Sequence, residues 1–136
     1  MATVPFAESI GLGSGTEFDL ATAVEHGAST DSIDSLRQLG LTFSEIAAIV
    51  ISPRSLKHRE ASGGLLTLEQ TDRVLRVGRI LEMATRIFAN AEKALRWLRM
   101  PDDRLQSRAP LQMLVTEAGG RLVEKMLWQI DEGIYT

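Results

Sequence analysis

Apolar residues recur along this chain at the three- and four-residue spacing of helices, and no segment shows sustained period-two alternation rich in β-branched residues. The fold class is therefore all-α. Residues 1 to 28 hold few large apolar side chains, are rich in Gly, Ser, Thr and Ala, and contain the breaker cluster GLGSG at 11 to 15. They read as a flexible acidic arm with a short helical turn near Asp19 to His26. From Thr30 onward, Ile33, Leu36 and Leu39 predict a first short helix that Gly40 stops. Thr42 and Glu45 form a T-x-x-E capping box for a second, whose apolar face is Ile46, Ile49 and Val50. Ser52 followed by Pro53 starts a third, which ends at Gly63 and Gly64.

The capping box TLEQ at Thr67 opens the longest helix, predicted to run to about Ala89. Projected at ~100° per residue, Val74, Val77, Gly78, Leu81, Ala84, Thr85 and Phe88 share one arc, with Asp72, Arg73, Arg76, Arg79, Glu82 and Arg86 opposite. The first arc reads as core and the second as a solvated face with intrahelical ion pairs, the bland reading for Glu69, Asp72, Arg73, Arg76 and Arg79. A shorter helix over Ala91 to Arg99 stops before Pro101, because proline disfavours a helical predecessor; its Trp97 is most simply core. Pro110 opens a further short helix. The last helix carries Gly119, Leu122, Val123, Met126, Leu127 and Ile130 on one stripe.

Composition narrows the chemistry. With 136 residues, 44% hydrophobic, the chain can bury a core without staples. The absence of Cys rules out disulfides, a Cys-ligated zinc and thiol catalysis, and is compatible with a reducing cytoplasm. His26 and His58 are the only imidazoles, too few for a His-rich metal site. Neither a membrane span nor a secretion signal is indicated. No cofactor, metal or catalytic residue is expected, and a cytoplasmic protein is.

The net charge of -3 conceals three unlike parts. Residues 1 to 52 carry Arg37 against seven acids, residues 53 to 104 carry eleven bases against seven acids, and the remainder is nearly balanced. The basic middle is a hint about partners rather than about fold. Two short helices joined by a tight turn, the second opening SPRSLKHR, have the layout of a helix-turn-helix reader, whose second helix enters the major groove N-terminus first. Arg54, Ser55, Lys57, His58 and Arg59 supply donors for phosphates and base edges, while Leu56 faces inward on Ile46 and Val50. The competing reading is an ordinary basic surface helix. The turn also departs from the usual pattern, with Ile51 where a left-handed Gly is preferred.

From Leu65 onward four segments stand in a characteristic order: L-T-x-E-x-x-D-R-x-x-R at 66 to 76, A-L-x-W-L-x-x-P at 94 to 101, P-L-x-x-L-x-T-x-x-G at 110 to 119, and I-x-x-G-x-x at 130 to 135. Together they resemble the toxin-binding domain of Xre/MbcA/ParS-type antitoxins, partners of RES-domain toxins. The SPRSLKHR helix resembles the Arg-rich one preceding that domain. The resemblance implies an antitoxin of a type II toxin-antitoxin system. Its Xre-type helix-turn-helix region would bind the operator DNA of its own operon as a repressor, and its C-terminal end would occlude the active site of an NAD-consuming toxin. On this basis residues 29 to 66 are the helix-turn-helix region, 67 to 136 the small helical toxin-binding domain, and a homodimer through the N-terminal region is expected on DNA. Carried over, the DNA-binding positions are Arg54, Ser55, Lys57, His58 and Arg59, and the inhibitory ones Asp131, Glu132, Gly133, Ile134, Tyr135 and Thr136.

The residues add one position of their own. Trp128 sits ~170° from the centre of the last helix's stripe, so it either faces out as an interface anchor or packs on another helix of its own domain. Gly133 releases the chain from the helix and leaves Ile134 and Tyr135 as an amphipathic tip. The alternative function is a non-enzymatic helical adaptor with a basic docking helix.

Overall fold

The arrangement is organised by one helix, the 21-residue Leu68–Phe88, in a computed structural model that describes residues 6–13 and 15–133. In chain order the helices are α1 (Phe6–Ser9), α2 (Glu17–His26), α3 (Ser32–Gln38), α4 (Phe43–Ile49), α5 (Pro53–Ala61), α6 (Leu68–Phe88), α7 (Ala91–Arg99) and α8 (Glu117–Asp131). Two 3-10 helices, Asp103–Leu105 and Pro110–Val115, bridge α7 to α8. The described residues contain no strand, only isolated bridges at Ser29 with Leu65 and Asp102 with Arg108. Among the described residues no helix is long and apolar enough to cross a membrane.

The caps predicted at Thr42, Ser52 and Thr67 form. Thr42 Oγ1 accepts the Glu45 N–H at 3.1 Å while Glu45 Oε1 accepts the Thr42 N–H at 2.9 Å, and Thr67 and Gln70 repeat the exchange at 3.2 and 2.9 Å. Each box satisfies two backbone donors that the first helical turn would leave without partners. The helix expected at Pro110 is instead 3-10. Its end is confined by a close approach in which Met113 O lies where a side chain at Gly119 would stand, so only glycine lets α8 begin there.

α6 buries more of its circumference than one stripe. Thr71, Val74, Val77, Ile80, Leu81 and Ala84 are joined in the core by Arg76, only 5% exposed, which corrects the reading of the Asp72 to Arg86 arc as uniformly solvated. The cause is that α6 is covered on several sides, by α1, α2 and α3 as well as by α7 and α8. One apolar core runs across residue 66, from Phe6 through Leu36, Ile46 and Val77 to Leu98 and Leu127.

The acidic N-terminal segment is tied into this core. Phe6 is buried against Gly78, where any Cβ would collide with the ring, and its N–H donates to Glu82 Oε2 at 2.9 Å. The short turn expected near Asp19 is a ten-residue helix with its own capping box from Thr16. Ala28 is buried, its N–H bonded to Thr71 Oγ1 at 3.0 Å and its carbonyl to the Leu66 N–H at 2.8 Å. Where this segment is described, over 6–13 and 15–28, the reading of a flexible arm is corrected, because Phe6 and Ala28 are buried in the core and Ile10 and Leu12 pack partly buried against it.

Candidate DNA-contact and partner-binding surfaces

The α4–α5 turn is made without the left-handed residue that its sequence lacks. The N–H groups of Val50 and Ile51 both donate to Ile46 O, at 2.8 and 3.0 Å, and Val50 leaves the helix with φ -122°. Ile51 is 5% exposed, so the side chain that seemed out of place in a turn is a core residue. From α6, Arg73 Nη1 donates to Val50 O at 3.3 Å and fixes the turn to the central helix. Ser52 Oγ then caps α5 by accepting the Ser55 N–H at 3.1 Å.

α5 contributes no fully buried residue, and Leu56 is only half-buried against the core. Arg54, Lys57 and His58 are exposed along it. Ser55 is half-buried, with its hydroxyl accepting a bond from Ser52 Oγ at 2.9 Å. Arg59 turns back on the fold, with Nε donating to Leu65 O at 2.7 Å, and so closes the loop after α5. Three of the five basic-helix positions are therefore open to solvent, and Arg59 is engaged by its own chain.

At the other end, α8 buries Gly119, Gly120, Val123, Met126 and Leu127, whereas Leu122, placed on the core stripe by spacing, is 40% exposed. Trp128 is 46% exposed, which settles its orientation outward. It borders a cavity of about 830 Å³ between the end of α3, α6, α7 and α8, with Leu39, Met83 and Leu95 among the apolar lining and Arg79, Arg86 and Glu124 among the charged. Neither Leu39 nor Leu95 is marked by sequence as part of such a groove, since each belongs to the apolar pattern of its own helix. Asp131, Glu132 and Gly133 are exposed, with Gly133 at φ 73° ending α8. Ile134, Tyr135 and Thr136 lie outside the described residues.

Two arginines join these surfaces. Arg76, in the core, donates from Nε to Glu117 Oε2 at 3.3 Å, from Nη1 to Leu114 O at 3.1 Å and Val115 O at 3.3 Å, and from Nη2 to Asp72 Oδ2 at 2.8 Å. It thereby fastens α6 to the start of α8. Arg99, on α7, meets Glu45 through Nε at 2.8 Å and Nη2 at 2.9 Å, and Nη2 also reaches Gly40 O at 2.9 Å. The Arg99 guanidinium holds the Glu45 carboxyl below the usual carboxylate range, and Glu45 in turn raises Arg99. The i,i+4 spacing of Asp72 and Arg76 was a visible signal for part of the first cluster; nothing local announced the second.

The chain matches two family models. Residues 19–79 match the family model of the antitoxin Xre-like helix-turn-helix domain, and residues 83–133 match the antitoxin Xre/MbcA/ParS C-terminal toxin-binding domain. The two ranges meet inside α6. A protein named Antitoxin Xre from Pseudomonas putida is 35% identical over 118 residues, covering 87% of this chain and 74% of that protein. Another of the same name from Yersinia enterocolitica is 30% identical over 130 residues, 93% of this chain and 88% of its own. A third, from Photorhabdus laumondii, is 27% identical over 136 residues, 96% and 90% of the two chains. Matched in both halves and similar to these relatives over most of its length, the chain belongs to the Xre antitoxin family, with a helix-turn-helix domain leading into a toxin-binding domain.

Proposed function

We propose that this chain is the antitoxin of a type II toxin-antitoxin pair, that it occludes the active site of a RES-type NAD-degrading toxin with its C-terminal end, and that it represses its own operon as a homodimer. The observation that carries the toxin half is the exposed indole of Trp128 beside an apolar groove, one turn before the exposed Asp131, Glu132 and Gly133. Truncating a large aromatic anchor of this kind removes a major share of interface energy. Occlusion requires no chemistry from the antitoxin, only a tail that fills a cleft and excludes substrate. The DNA half is supported by the exposed Arg54, Lys57 and His58 on a helix that the core does not engulf. A repressor of this kind works in the cytoplasm.

The test combines purified chain with a RES-type toxin encoded beside it and follows NAD loss. Full-length protein is expected to stop the reaction, and a variant lacking residues 133 to 136 to leave it running while retaining the helical fold. Inhibition unchanged by that deletion would sink the plug. A mobility shift with the upstream region of the operon tests the repressor half, and no retardation of that DNA by the wild type would overturn it.

A further inference from the structure

The first helix of a helix-turn-helix pair crosses the DNA backbone while the second enters the groove, and half or more of the hydrogen bonds in such complexes go to phosphate and sugar. α4 is poorly equipped for that position. Its sequence FSEIAAI contains no base, and its one charged residue is the acid Glu45. Left alone, that carboxylate would repel a phosphate.

The rest of the molecule offsets that charge. Arg99 neutralises Glu45 through its two-pronged contact, and the same guanidinium holds Gly40 O. The Gly40 N–H donates to Arg37 O at 3.0 Å, so α3 and α7 converge on this one residue. Arg37, the only base in the first 52 residues, places its guanidinium 3.6 Å from the centre of the Phe43 ring, at the first residue of α4, and that ring is 62% exposed. A guanidinium stacked on a ring keeps its in-plane N–H donors free, in the fork geometry that suits phosphate oxygens. On the α7 side, Leu95 packs at Gly40, where an added Cβ would come within 2.6 Å of Leu95 Cδ1. The neighbouring Arg96 is exposed. Neither Arg37 nor Arg96 forms an ion pair among the described residues.

We infer that the Gly40 junction is a second DNA-contact surface, in which Arg37 stacked on Phe43 and Arg96 on α7 grip the phosphate backbone flanking the groove entered by α5. This rests on the DNA-binding reading above and extends it, because part of the DNA footprint then comes from α7, beyond the helix-turn-helix itself. A phosphate contact contributes affinity without sequence preference and releases bound counterions, so its signature is the salt dependence of binding.

The test uses full-length protein with the operon's upstream DNA and with random-sequence DNA, measuring affinity from about 50 to 200 mM salt. Arg37→Gln and Arg96→Gln are each expected to weaken binding to both DNAs by a similar factor and to flatten the log–log salt slope by about 1 per lost contact. Thermal melting of each variant verifies that these exposed substitutions leave the fold unchanged. Wild-type slopes in both variants would overturn the surface while leaving α5 as the reader. If the variants weaken toxin binding and keep their DNA slopes, the surface belongs to a protein partner and the inference fails. A wild type that retards no DNA would remove both this inference and the repressor reading.

Discussion

Arg99 on α7 grips Glu45 on α4 at 2.8 and 2.9 Å, across 54 residues of sequence, and so binds the toxin-binding half of the chain to the first helix of the helix-turn-helix. Glu45 also closes the α4 capping box, so one carboxylate serves the start of a helix and a tertiary strut. Both side chains are partly solvated, which limits the strength of the pair but makes it adjustable by pH.

That pair predicts a pH-dependent stability. Because Arg99 lowers the folded-state pKa of Glu45, the contribution is fully present above the unfolded carboxylate pKa of about 4.3 and is lost as pH falls through the folded value. Arg99→Gln is expected to cost about 1 kcal/mol near neutral pH. The deficit should shrink below about pH 4 as Glu45 protonates in the wild type as well. Urea titrations at several pH values measure it, and a deficit constant with pH would show that the strut does not act through charge.

Arg76 is expected to matter more to the fold. Its removal in Arg76→Ala leaves the carbonyls of Leu114 and Val115 without their donor and opens space beside Gly120. Stranding a buried acceptor costs about 1 to 3 kcal/mol, so a loss of about 2 to 3 kcal/mol is expected by equilibrium unfolding. A loss below about 0.5 kcal/mol, the usual range for a surface change, would contradict the buried role.

The docking of α1 is testable at Gly78. In Gly78→Ala the new methyl group occupies the place of the Phe6 ring, so the N-terminal turn is expected to leave α6 while the rest of the core stays folded. Hydrogen exchange or limited proteolysis should show new exposure confined to the segment before α2. Protection there equal to the wild type would mean that Phe6 finds another seat.

For the partner surface, Trp128→Ala should weaken the complex with the toxin by about 2 kcal/mol, roughly 30-fold in affinity, with little change in the melting temperature of the free protein. With the indole 46% exposed, its truncation leaves the core intact. A large loss of stability in the isolated chain would instead make Trp128 a packing residue.

What the amino-acid sequence determined by itself is whatever depends on near neighbours. The capping boxes at Thr42 and Thr67, the Ser52–Pro53 start of α5 and the stop before Pro101 all follow from side chains acting within one or two turns of their own helix, whereas spacing left Trp128 either facing out or packed on a neighbouring helix. What tertiary structure decided lies at long separation. The Phe6 N–H meets Glu82 across 76 residues, Arg99 meets Glu45 across 54, and Arg76 meets Glu117 across 41. Periodicity predicts which side of a helix is apolar, but it does not say how many neighbours will cover that helix. α6 is covered on several sides, so Arg76, polar by pattern, is buried, and Ile51, unsuited by pattern to a turn, is retained as core. The arginines that join the two halves of this antitoxin take their partners from packing, and hydrogen bonds made by packing leave no local trace in the chain.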